Sequence, residues 1–240
     1  SRKMAKYYYK KSRRLNGVKI LSLIIVLLGA GLFLYVFFPI LSWQIYFAPV
    51  FASQNLEIPI PKTAFVSNQN IGNLIYNAGR SLTTDYTQAG NWYPNFNPAG
   101  VKNGKNYTLS IPKIGISNAN VTNMNGDLSK QLVQYNSDSL PPFKGNNVIY
   151  GHSTLPQLFD PKNYKTIFAN LYKVVVGDII EITVDGATYN YKIQTITVVE
   201  PEDTSVLAQN FGDSFITLIT CTPPGTVWKR LIVRAKIEKL

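Results

Sequence analysis

Cysteine and histidine are all but missing from this chain of 240 residues: each occurs once, as Cys221 and His152. One thiol cannot close an internal disulfide, so stability has to come from a packed core. One imidazole, with Cys221 the only other soft ligand, leaves no His/Cys set for a zinc site. Acids are scarce as well, 13 against 24 Lys and Arg, for a formal net charge of +11. That excess is not spread evenly. Arg2, Lys3, Lys6, Lys10, Lys11, Arg13, Arg14 and Lys19 stand ahead of every Asp and Glu, and without those eight the remainder is near a formal +3. A nucleic-acid partner needs a basic face on the folded part. Here the charge belongs to the tail, so none is expected.

Charge of either sign is absent from 20–43. The run is long enough for a helix of about 20 residues to cross a bilayer. Phe37, Phe38, Trp43, Tyr46 and Phe47 gather at its far end, as an interfacial aromatic belt does. The basic flank before it is the positive-inside signal. The run exceeds the h-region of a signal peptide, and Phe51–Ala52–Ser53 offers little of a small-x-small cleavage site. The expectation is a basic cytoplasmic tail over 1–19, an uncleaved transmembrane anchor over 20–46, and everything later outside the cell.

Residues 47–104 are rich in Asn, Gly, Pro, Ser and Thr and poor in charge. Ile71, Leu74, Ile75, Ala78 and Leu82 fall at helical spacing, while 90–98 reads as loop. The expectation is an extracellular linker or stalk with one short helix.

From Tyr107 onward the pattern becomes that of short strands: 107–112, 116–121, 146–150, a run from Val174 interrupted at Gly177 and resumed over 179–184, then 188–199, 215–220 and 230–237. Asp185–Gly186 marks a hairpin turn. Short helices are expected near 128–133, 164–170 and 204–210. The fold class is mostly β, a largely antiparallel sheet of seven or eight strands; closing it into a barrel removes its edges. This folded domain is assigned to 105–240.

Within it, Cys221 ends an apolar strand that Pro223, Pro224 and Gly225 stop, and Arg230 opens the next strand. His152 also ends a strand-like run. An imidazole either takes a thiol's proton or sits beside the thiolate as its cationic partner. A buried Cys and an unrelated His are the plainer reading of the same residues.

Longer stretches decide between them. Thr217–Leu218–Ile219–Thr220–Cys221 resembles the TLxTC signature of sortases, the cysteine transpeptidases of bacterial cell surfaces. Gly145 to His152 (GNNVIYGH), Leu171 to Ile182 with Gly177–Asp178, Val199 to Leu207 (VEPEDTSVL) and Arg230 to Ala235 (RLIVRA) resemble further segments of the same family, in order.

The resemblance implies an eight-stranded sortase-type barrel. It implies that Cys221 forms a thioester with an LPxTG-like sorting signal, and that His152 moves protons to and from the amines. Arg230 stabilises the oxyanion, with Arg234, on the same strand and face, as the alternative. Thr220, Ile219 and Ser153 are the expected substrate-binding residues, and 197–214 the loop that selects the signal. The implied partners are surface proteins with a C-terminal sorting signal, and an amine acceptor such as a peptidoglycan cross-bridge or lipid II. The implied location is the cell membrane, single-pass. No cofactor or metal is implied. Glu200, Glu202 and Asp203 resemble the acids by which some sortases hold calcium, but Asp203 reads better as the cap of a following helix.

Some pilus-building sortases cover the site with a lid bearing an Asp-Pro-aromatic motif. That motif is absent, so a stalk is the expectation for this stretch, with Trp92–Tyr93–Pro94 docked over the groove as a lid the alternative. No second apolar span follows Ile237, as many pilin-polymerising members have, so a member outside that class is expected. Two alternatives stay open: another Cys–His cell-wall enzyme such as an L,D-transpeptidase, whose Cys follows a His-Gly pair rather than Thr-Leu-Ile-Thr, and an inactive membrane-tethered β-domain.

Overall fold

The structure, a computed structural model, describes residues 17–46, 84–93, 104–135 and 140–238. The chain divides between Ile40 and Leu41 into two units. The first carries most of a helix, α1 (Gly17–Tyr46), whose described apolar side chains are exposed. No helix among the described residues is long and apolar enough to cross a membrane. The reading of 20–46 as an anchor is taken up below as a proposal. The short helix expected near 71–82 and Pro94 lie outside the described residues.

The second unit holds eight strands: β1 (Asn106–Ile111), β2 (Ile116–Thr122), β3 (Leu132–Gln134), β4 (Gly145–Tyr150), β5 (Ile179–Val184), β6 (Ala187–Val199), β7 (Ser214–Thr222) and β8 (Lys229–Ile237). They close in the order β1-β2-β3-β4-β7-β8-β6-β5. Two neighbours, β2/β3 and β4/β7, are parallel and the others antiparallel. Asp185 and Gly186 both have positive φ, 50° and 82°, as the turn joining two right-twisted strands requires.

The barrel interior takes Leu109, Ile111, Val121, Leu132, Ile149, Ile180, Ile182, Ile193, Ile216, Leu218, Leu231 and Val233. Each fully buried aliphatic side chain is worth about 1.5–3 kcal/mol of transfer free energy. β4 and β7 are buried on their outer faces too. Val148, Tyr150, Ile219, Cys221 and Ile232 form a second apolar cluster there. That is why these two strands read as continuous apolar runs rather than alternating ones.

Three helix expectations are corrected. Around 128–133 the chain turns and then pairs as β3, with Val133 opposite Tyr150. Residues 164–170 form successive turns, because side chains compete for the backbone. Lys162 N–H donates to Asp160 Oδ1, Lys165 N–H to Asn163 Oδ1, and Asp160 N–H to Thr166 Oγ1. Over 204–210 only a 3₁₀ turn forms, Thr204–Leu207, with Asp203 Oδ1 accepting from Ser205 N–H at 2.9 Å as its cap. Val174 ends another 3₁₀ turn instead of opening a strand, and β5 starts at Ile179.

Candidate active site

The β4/β7 ladder pairs Ile149 with Leu218 and Tyr150 with Ile219. Two residues further along each parallel strand stand His152 and Cys221, on one face. β8 returns antiparallel with Arg230 directly opposite Cys221. Strand register thus gathers three residues far apart in sequence onto the outer side of the barrel, at one end. Arg230 Nη1 lies 3.6 Å from Cys221 Sγ and is held by the carbonyls of Val227 (3.0 Å) and Lys229 (3.3 Å). Arg234 is one register block away, opposite Thr217, with its guanidinium over the Phe215 ring at 4.4 Å.

The backbone beyond the ladder is tied by backbone and side-chain bonds together. Gly151 N–H donates to Ile219 O (3.2 Å), Thr220 Oγ1 donates to Gly151 O (2.7 Å), and Ser153 Oγ donates to Cys221 O (2.6 Å). Phe168 N–H donates to His152 O (2.9 Å). Residue 151 has to be glycine: a Cβ there would sit 2.5 Å from the Phe168 ring and 2.7 Å from Leu132. Of the expected substrate contacts, Ile219 lies in the outer cluster. The hydroxyls of Thr220 and Ser153 are spent on backbone.

Sequence reasoning weighed a lid at Trp92–Tyr93–Pro94 and preferred a stalk; Trp92 and Tyr93 do cover this face. Residues 84–93, expected as stalk and loop, form a strap across it. Ala89 N–H donates to Gly126 O, Leu128 N–H to Thr87 O, and Gln88 bridges to Asp127. Trp92 and Tyr93 are 3% and 2% exposed. The Trp92 ring meets His152 edge-on at 5.8 Å and stacks beneath the Arg230 guanidinium at 5.1 Å, while its Nε1 donates to Tyr86 O. Tyr86 takes a second position near the guanidinium at 5.8 Å, and Tyr93 stacks on Tyr150. The physical reason is the outer apolar cluster, which would otherwise face water. The only sequence signal was a pair of large aromatics inside a polar stretch.

The cover sets the protonation of the site. Burial pushes the Cys221 thiol up, against the pull of Arg230. Burial pushes His152 down to about 4, with Asp85 on the strap opposing. Closed, the site therefore holds a neutral thiol and a neutral imidazole at pH 7. Of seven buried side-chain atoms without a hydrogen-bond partner among the described residues, five are here: Tyr93 OH, Tyr150 OH, His152 Nε2, Thr222 Oγ1 and Arg230 Nε. A cavity of about 460 Å³ remains beside the strap, lined in part by Asn91, Glu202, Trp228 and Arg230.

Nothing at the site gathers metal ligands: among the described residues no three His, Cys, Asp or Glu side chains come together. Glu200 pairs with Lys229 at 2.7 Å.

A family model, the sortase domain, matches residues 109–238, more than half of the chain. Sortase A of Streptococcus agalactiae serotype III is 31% identical, over 42% of this chain and 49% of the relative. Sortase A of Listeria monocytogenes serovar 1/2a is 30% identical, over 40% of each. The chain thus spans half or less of the length of these curated relatives. A solved Clostridium perfringens Sortase D5 transpeptidase is 30% identical, covering 59% of this chain and 84% of its own, with a TM-score of 0.47.

Proposed function

Because the chain belongs to the sortase family, we propose that it is a cysteine transpeptidase of the cell surface. It cleaves an LPxTG-like sorting signal on a surface protein and transfers that protein to an amine, such as a peptidoglycan cross-bridge or lipid II. Residues 20–46 anchor it in the membrane, with the basic tail inside and the barrel outside.

The observation that carries this reading is the contact between Arg230 Nη1 and Cys221 Sγ, 3.6 Å, at paired strand ends beside the chain's single histidine. A fixed cation there serves two stages. It lowers the cost of a thiolate, and it meets the negative charge that develops on the carbonyl oxygen under attack.

Each step then balances. Cys221 Sγ bonds to the carbonyl carbon and its proton passes to His152. The C–N bond breaks, His152 gives the proton to the leaving amine, and a thioester remains. An incoming amine attacks the thioester, gives its proton to His152 and restores the thiol as the new amide forms. Thiol, imidazole and guanidinium carry all steps, so no cofactor is invoked. The strap has to leave the outer face before a peptide can lie on Ile219 and reach Cys221, and its departure rehydrates both reacting groups.

The test uses the full chain in detergent, a panel of internally quenched LPxTG-type peptides and an amine acceptor, read by mass spectrometry. An amine-linked product that disappears in Cys221→Ala is the expected result. Folded protein that yields neither thioester nor product across the panel, with the strap intact and with Trp92 replaced by Ala, overturns the reading in favour of an inactive β-domain.

A further inference from the structure

The β4/β7 backbone ladder stops at Tyr150 and Ile219, one residue short of Gly151–Thr220 and two short of His152–Cys221. Two parallel strands leaving a ladder are free to splay, and a splay here would separate the reacting groups. One backbone bond, Gly151 N–H to Ile219 O (3.2 Å), opposes the separation; past it, the strand ends are tied by two side chains. Thr220 on β7 reaches across to the carbonyl just before His152 (2.7 Å), and Ser153, just after His152, reaches back to the carbonyl of Cys221 (2.6 Å). The bonds run in opposite directions and bracket the pair. Thr220 is 1% exposed and its bond is buried, so water cannot substitute for it, and without it the Gly151 carbonyl is left dry. Gly151 has no room for a side chain against Phe168, so the strand end cannot shift sideways to compensate.

We propose that Thr220 and Ser153 are positioning residues: a reciprocal hydroxyl clasp that continues the parallel ladder by two residues and fixes the spacing of His152 and Cys221. This rests on the reading of those two as the reacting pair. It assigns both hydroxyls to the enzyme's own backbone, in place of the peptide contacts that the sequence suggested. Their effect is therefore on the chemical step and not on peptide affinity.

The test compares Thr220→Val, Thr220→Ser, Ser153→Ala and the Thr220→Val/Ser153→Ala double variant in the full chain, with thermal melts to establish folding. The expected result is a kcat lowered roughly 10- to 100-fold in Thr220→Val and Ser153→Ala, the scale of a misplacement near 1 Å. KM stays within about twofold. Thr220→Ser keeps most of the wild-type kcat. The double variant falls little below the worse single one, because both bonds set one spacing. A loss confined to KM, or Thr220→Ser as impaired as Thr220→Val, overturns the clasp, since a peptide contact or a packing role gives those patterns. If Thr220→Val does not fold, Ser153→Ala, whose side chain is only part-buried, decides.

A readout that needs no substrate separates this inference from the functional one. His152 is the only histidine, so its ring ¹⁵N signals are unambiguous. Cys221→Ala should move them in the wild-type background and leave them unmoved where Ser153 is Ala. Equal responses in both backgrounds sink the clasp whether or not any peptide is turned over.

Discussion

Replacing Trp92 with Ala should unlock the thiol without harming the barrel. The Trp92 side chain is 3% exposed, touches His152 and Arg230, and donates to Tyr86 O. Truncating a buried Trp costs about 3–5 kcal/mol, and the lost cation–π contact about 0.5–2 kcal/mol more. Because 84–93 lies outside the strand network, the loss falls on strap closure rather than on barrel stability. At about 1.4 kcal/mol per tenfold, the lower figure raises the open-to-closed ratio about a hundredfold. Opening also removes the burial that holds the thiol up and His152 down, so each open molecule is more reactive at pH 7. The assay is alkylation of Cys221, the only thiol, by iodoacetamide, followed by intact mass. The gain is capped at the reciprocal of the wild-type open fraction, and Trp92→Phe should fall between the two. A folded Trp92→Ala variant that alkylates within about twofold of wild type would refute the view that the strap gates the site.

Arg230→Lys keeps a charge but loses the fork that Val227 and Lys229 hold; kcat should fall about 10²–10³-fold with KM little changed, read by steady-state kinetics on the peptide that wild type uses. Acid should open the strap. His152 has a folded pKa of about 4, below its ordinary 6.5, so its contribution to closure is full above pH 6.5 and is lost as pH falls through 4. The contribution is up to about 3 kcal/mol. Hydrogen-exchange protection over 84–93 should drop between pH 6.5 and 5 while that of β7 persists, and equal protection at both pH values would contradict it. The anchor predicts that the full chain stays in the membrane fraction through alkaline carbonate extraction, with the barrel digested by protease added outside and the basic tail protected. Release into the carbonate supernatant would contradict it.

Much of the site was legible because its parts are local. A β-branched run ending at a lone Cys before Pro223–Pro224, a lone His ending another run, and an Arg opening the next strand can each be read within about ten residues. What the sequence left open has a common cause. Arg230 and Arg234 share a face on one strand, and only the pairing of Cys221 with Arg230 and Thr217 with Arg234 separates them. Thr220 and Ser153 were expected as substrate contacts; that their hydroxyls bond to backbone carbonyls is invisible until the neighbouring strand is placed. The helices expected near 128–133 and 164–170 gave way to β pairing and to Asx-type turns.

The sequence by itself determined every strand but β3, the hairpin at Asp185–Gly186, the presence of a single thiol and a single imidazole, and the family. These follow from residue type and short-range periodicity. Only the tertiary structure decided that β4 and β7 lie parallel with both faces buried, that Arg230 stands at the thiol, and that residues 84–93 close over it. The first and third of those outcomes turn on contacts between segments some sixty to more than a hundred residues apart, and the second on the register of two adjacent strands. There the burial of one apolar face by another segment, and not any local preference, sets the arrangement.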